Sequence, residues 1–298
     1  MHTYQHDGVT ISYEQSAPAG RTDLCSLLFL HNGGTSSTIW RNQVARFGAE
    51  RRVVAVDLPG FGCSPRPVEG ITREGQLDLL EGLIDELGLA PLVVVGNCMG
   101  SNMAAALASR RPNDVLGLVL VNPLTERTFS AGGLGLLHTA HRWAPGPTNL
   151  VRRVSRSIVP PKVMASTILR FQVGKKGAAS KVHRDPELIS CVSRRDQLPA
   201  LIDVLDDLEV YGQLDRDGID LPEASPCPVA TIWGMSNRVL SPAAGRRLGE
   251  RLAPAMTEEL DGCGHLVMLE DPERVNEIIS KFLATYTDRE SAIEEATR

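Results

Sequence analysis

Short apolar runs, rich in Val, Ile and Leu, alternate along the chain with longer stretches of helical periodicity. Val9–Tyr13, after the Asp7-Gly8 turn, reads as one arm of an N-terminal hairpin. Cys25–His31, Arg52–Asp57, Leu92–Gly96, Leu116–Val121, Val229–Trp233 and Met256–Leu260 read as further strands. Most are apolar at nearly every position, which requires burial on both faces, as in a parallel sheet covered by helices. Helices are predicted over Gly75–Leu87, Asn102–Ser109, Ala243–Leu252 and Pro272–Thr285. The last opens with Asp271 as cap, Pro272 at the first helical position and Glu273 in the first turn. Such alternation predicts a doubly wound α/β domain with a mostly parallel sheet.

The alternation lapses over residues 125–225, where no apolar strand pattern occurs. That stretch is expected to be a helical cap inserted between late sheet strands, on a core formed by 1–124 and 226–298. The last dozen residues are polar and are expected to be a frayed helix end or tail.

Composition narrows the function classes. The chain has 298 residues, 42% hydrophobic and 22% charged, with a net charge of −5, which excludes a general nucleic-acid binder. Its longest apolar runs are strand length, whereas a membrane span needs roughly 20 residues. The opening MHTYQHDGVTISYEQ has neither a basic start nor an apolar block, so a cytoplasmic protein without a membrane partner is expected. Six scattered cysteines without a CxxC predict neither a disulfide framework nor a metal site. Charge is unevenly spread: Arg142 to Arg195 holds 12 Lys or Arg against Asp185 and Glu187.

The sharpest local feature is Gly96-Asn97-Cys98-Met99-Gly100, set directly between an apolar strand and a small-residue helix. This is the strand–turn–helix setting of a nucleophile elbow, in which a tight turn presents one side chain and aims the next backbone N–H at it. The position usually holds Ser, and here it holds Cys98.

With this elbow the chain resembles the α/β-hydrolase superfamily, in particular its capped branch. His31-Asn32-Gly33-Gly34 followed by Trp40-Arg41-Asn42, Asp57-Leu58-Pro59-Gly60-Phe61-Gly62-Cys63-Ser64, the elbow, and Gly262-Cys263-Gly264-His265 match that pattern in order. The resemblance implies Cys98 as nucleophile, His265 as base, and the backbone N–H groups of Gly33 and Met99 as oxyanion hole. Both places where the family carries its acid hold amides: Asn237, in Trp233-Gly234-Met235-Ser236-Asn237, and Asn122. Glu126 is a spare acid nearby.

An amide suits a cysteine better than a serine. A carboxylate behind the His matters by about 10⁴ to a serine enzyme, whereas a thiol beside His can already stand as a thiolate–imidazolium pair. Asn237 is then expected to orient the ring through its carbonyl oxygen, completing a Cys98–His265–Asn237 triad. A thiolate argues against dehalogenase and epoxide-hydrolase chemistry and for acyl transfer. The leading expectation is an acyl-Cys enzyme that takes a small-molecule acyl group from a thioester of coenzyme A or a carrier protein, as stand-alone thioesterases, acyltransferases or cyclases of secondary metabolism do. It would pass that group to a second nucleophile or water, with no cofactor. Arg152, Arg153 and Arg156 in the basic cap are candidates for holding the anionic donor. An ester or lactone hydrolase is the alternative, and a non-catalytic or lyase-like relative is a third reading. His138, His141 and His183, in the cap, are expected to be exposed.

Overall fold

A computed structural model describes residues 1–20, 23–144, 146–155, 159–211 and 227–288. Among these, eight strands form one sheet: β1 (His2–His6), β2 (Val9–Ser16), β3 (Ser26–Leu30), β4 (Val53–Asp57), β5 (Leu92–Asn97), β6 (Val115–Val121), β7 (Val229–Gly234) and β8 (Met256–Leu260). Their order is β1-β2-β4-β3-β5-β6-β7-β8. The first two pairings, β1 with β2 and β2 with β4, are antiparallel, and the rest are parallel. The β1–β2 hairpin turns on Asp7 and Gly8, at φ 46° and 80°, as a two-residue turn requires.

The continuous apolar runs are explained by the two cores. Leu28, Leu30, Val54, Val56 and Val94 enter one apolar cluster, while Leu27, Phe29, Val53, Ala55 and Val95 enter the other. Period-2 alternation thus divides each strand between two buried faces. Full burial of a side chain such as Phe29 stabilises the fold by about 1.5–3 kcal/mol.

The core helices are α1 (Arg41–Phe47), α2 (Arg73–Leu87) and α3 (Met99–Arg110) before the insertion, and α12 (Pro242–Leu252), α13 (Val267–Glu270) and α14 (Pro272–Tyr286) after it. Helix α2 starts where Thr72 accepts the Gly75 N–H and stops at Gly88 in the left-handed region. Helix α3 begins at Met99, three residues earlier than the sequence suggests, because the elbow leads straight into it. Asp271 precedes α14 without making a side-chain capping bond, and its carboxylate instead pairs with Lys176.

Between β6 and β7 the described residues contain only helices and connections. These are α4 (Glu126–Ser130), α5 (Gly135–Trp143), α6 (Gly146–Ser155), α7 (Lys162–Gln172), α8 (Lys175–Ala179), α9 (Pro186–Val192), α10 (Gln197–Asp206) and α11 (Leu208–Tyr211). Ion pairs fasten this layer to the core, among them Arg66–Asp203 at 2.7 Å and Arg41–Asp185 at 2.6 Å, and the first is almost fully buried. His138 and His141, expected to be exposed, are buried on the inner side of α5. His138 lies 3.2 Å from Ser130 Oγ, and His141 lies 2.8 Å from the Asp206 carboxylate.

Candidate active site

Strands β3 and β5 are neighbours, so the loops at their C-terminal ends lie side by side. Cys98 sits in the second of these turns at φ 54° and ψ −112°, a strained conformation for a residue with a side chain. Two glycines permit the turn: a Cβ on Gly96 would strike the Gly100 carbonyl, and one on Gly100 would strike the Leu30 carbonyl. The Cys98 N–H is anchored on the Val121 carbonyl at 2.9 Å. Burial pushes the Cys98 thiol up to about 12, and a hydrogen bond from the Met99 N–H opposes this only in part. At rest the group is a neutral thiol, not the preformed thiolate expected from its type.

Gly33 lies in the loop after β3, and its carbonyl accepts the Asn32 side chain at 2.9 Å. His31 ties this loop to the end of β4: its Nε2 accepts the Leu58 N–H at 2.9 Å, while Nδ1 donates to the Asn32 carbonyl at 2.7 Å.

His265 is held from several sides through its backbone. Its N–H donates to the Gln172 carbonyl at 2.7 Å, and its carbonyl accepts from Asn97 at 3.3 Å and Asn122 at 3.2 Å. Asn97 immediately precedes Cys98, so the elbow and the histidine loop share a fastening. Asn122 also accepts the Gly234 N–H at 3.0 Å. Its amide therefore pins the backbone behind His265 and does not stand beside the ring as an auxiliary acid would.

Asn237 does reach the ring, with polarity opposite to the sequence expectation. Its Oδ1 accepts the N–H groups of Val239 at 2.9 Å and Leu240 at 3.1 Å, which turns its NH₂ toward His265 Nδ1 at 3.1 Å. An amide nitrogen can only donate, so Nδ1 is the acceptor and the ring proton sits on Nε2. Burial also holds the imidazole neutral, lowering it to about 3. Among the described residues no hydrogen bond joins Cys98 Sγ to this ring. Thiol and imidazole are thus both neutral.

Sequence reasoning missed Glu270. Its carboxylate is buried and accepts four backbone N–H groups: Gly264 at 2.8 Å and Leu266 at 3.3 Å around the histidine, and Gly174 at 2.7 Å and Gly177 at 3.2 Å from the insertion. Burial raises this carboxyl, and the four N–H bonds work against the rise. The only sequence signal is an acid five residues after His265, too common to single out.

Other candidates lie elsewhere. Glu126 pairs with Arg142 at 3.3 Å on the α4–α5 side, and it exerts no charge effect on His265. Arg153 is exposed on α6. The side chain of Arg152 and the whole of Arg156 lie outside the described residues. The described residues contain no group of three or more His, Cys, Asp or Glu able to hold a metal, and no helix long and apolar enough to cross a membrane.

Known proteins share this fold. A 2-hydroxy-6-oxononadienedioate/2-hydroxy-6-oxononatrienedioate hydrolase of Burkholderia vietnamiensis is 28% identical over 87% of this chain and 86% of its own. Among solved structures, the enol-lactonase from Burkholderia xenovorans superposes with a TM-score of 0.74 at 21% identity, covering 95% of this chain and all of that one. A meta-cleavage product hydrolase from Pseudomonas fluorescens gives a TM-score of 0.75 at 19% identity, covering 95% and 97%. At these identities the two structures speak for the fold alone. The family model described as alpha/beta hydrolase family matches residues 27–278. With the strand order, the elbow and the histidine loop all in their places, this chain belongs to the alpha/beta hydrolase family.

Proposed function

We propose that the protein hydrolyses an ester or lactone through Cys98. The observation that carries this reading is the strained elbow, which presents Cys98 with the Met99 N–H already hydrogen-bonded toward it. In this reading the substrate carbonyl oxygen sits against the N–H groups of Met99 and Gly33. Sulfur adds to the carbonyl carbon as the C=O electron pair moves onto oxygen. With the thiol proton released to water, His265 gives its Nε2 proton to the leaving oxygen and is reprotonated by solvent, the C–O bond breaks, and an acyl thioester remains. Water then adds, and sulfur leaves with a proton. The related Burkholderia vietnamiensis protein is named as a hydrolase, which favours water over a second nucleophile as the acceptor. Thioesters of coenzyme A or a carrier protein belong to the same chemistry, and the cationic insertion would favour such anionic donors.

A second reading is favoured by the polarity of Asn237. A ring with its proton on Nε2, beside two backbone donors, stabilises an oxyanion or enolate without forming a thiolate. In that lyase-like reading Cys98 only fills space.

Mass spectrometry after mixing with p-nitrophenyl esters, lactones and acyl thioesters separates the two. The hydrolase reading expects an acyl increment on the Cys98 peptide that decays in water, and loss of turnover in Cys98→Ala. Turnover that persists in Cys98→Ala overturns it in favour of the second.

A further inference from the structure

Gln197, the first residue of α10, is 3% exposed, yet neither Oε1 nor Nε2 of its side chain has a hydrogen-bond partner. Its backbone is satisfied separately, the N–H donating to the Arg194 carbonyl at 3.4 Å. Nearly all buried polar groups are paired, and a buried amide unpaired at both ends is a costly exception.

Its position suggests why the cost is tolerated. Gln197 Nε2 lies 3.7 Å from where a Cβ on Gly34 would stand, and Gly34 directly follows Gly33. In the neighbouring glutamine, Gln172, Oε1 accepts from Asn32 at 3.4 Å and the carbonyl holds the His265 N–H, while Nε2 lies 3.9 Å from the same Gly34 position. The remaining close neighbour is the apolar Leu201. One buried donor–acceptor edge without a partner therefore lies against the candidate oxyanion loop, beside Leu201 and the Gln172 Nε2.

We infer that Gln197 forms a recognition subsite for a neutral group offering one donor and one acceptor side by side, the edge of a primary amide or lactam on the substrate. Such an edge pairs with both ends of the glutamine in two parallel hydrogen bonds. A carboxylate would satisfy only Nε2 and would set its charge against Oε1. An aliphatic substrate would leave both ends unpaired, and sites built around a buried polar partner reject analogues that lack it. That a substrate occupies this loop rests on the hydrolase reading above; that the amide edge binds does not.

The test uses the full chain, wild type and Gln197→Met, with Gln197→Leu as a second replacement. Without ligand, both variants are expected to melt about 2 °C higher than wild type, because they remove an unpaired buried amide. Calorimetry with glutaramide as probe should show binding to wild type, weakened at least tenfold in both variants. With p-nitrophenyl esters of ω-carbamoyl acids of three to six methylenes, wild type should exceed the matching n-alkanoyl esters in kcat/KM by at least tenfold for one length. That preference should vanish in the variants.

An unchanged or lower Tm in both variants overturns the inference, since it means that the amide serves the fold. Equal glutaramide binding by all three proteins, or none to wild type, overturns it as well. If glutaramide binds as expected but no ester is turned over, the hydrolase reading falls and the subsite stands.

Discussion

The orientation of one amide sets what His265 can do. Two backbone donors, Val239 and Leu240, claim the Asn237 oxygen, so the nitrogen faces the ring. A carboxylate in that place would accept those donors with one oxygen and the Nδ1–H with the other, moving the ring lone pair to Nε2. Asn237→Asp is therefore expected to raise esterase kcat/KM by tenfold or more, with the tautomer change visible in ¹⁵N NMR of the imidazole; an unchanged tautomer and rate would count against this account. The pH behaviour follows from the same burial. With His265 lowered to about 3 and Cys98 raised to about 12, kcat/KM should lack an inflection near pH 6.5 and climb with thiolate fraction through pH 9. Stability runs in the other sense: below about pH 6.5 the unfolded chain protonates this histidine while the folded one does not. Its contribution is complete above that pH and lost progressively toward pH 3, which urea denaturation at pH 7 and pH 5 would detect. The sequence could locate Cys98, His265 and Asn237 because their spacing within turns follows a family pattern. It could not reveal the polarity of the amide or the neutrality of the pair, since both depend on neighbours distant in the chain or on burial.

At the level of elements, the histidine loop is held because Asn97 of β5, Asn122 just after β6, Gln172 of α7 and Glu270 of α13 all bond to it. Glu270 carries much of this fastening, and its replacement tests the point. Glu270→Gln keeps the shape but sets an NH₂ against N–H donors, so a loss of about 2–4 kcal/mol is expected in chemical denaturation. Activity should fall further than stability explains, through misplacement of His265, at temperatures where the variant remains folded. The strands were readable because their residues are apolar on both faces. The helix starts were less so: α3 begins at the elbow itself, and Asp271 pairs with Lys176 where a cap was expected. Neither contact leaves a periodic trace.

Across the whole molecule, the main imbalance of charge is the cationic stretch from Arg142 to Arg195 on an otherwise acidic chain. If this field draws in anionic acyl donors, kcat/KM for an acyl-coenzyme A should fall several-fold between 50 mM and 500 mM salt, as screening shortens to a few ångström. The rate for a neutral p-nitrophenyl ester should not change. Equal salt responses would remove the field from the account of substrate capture. The Glu270 clamp has a consequence for how this fold can be recombined. Two of its four bonds reach Gly174 and Gly177, though Gly174 stands 96 residues upstream, so the acid belongs to the insertion by contact and to the core by sequence. A chimaera that exchanges residues 125–225 for those of a relative would sever the clamp at a joint that the swap boundaries do not mark. Grafting therefore succeeds only if the incoming segment offers its own pair of N–H groups at that place, or if Glu270 travels with the segment it grips.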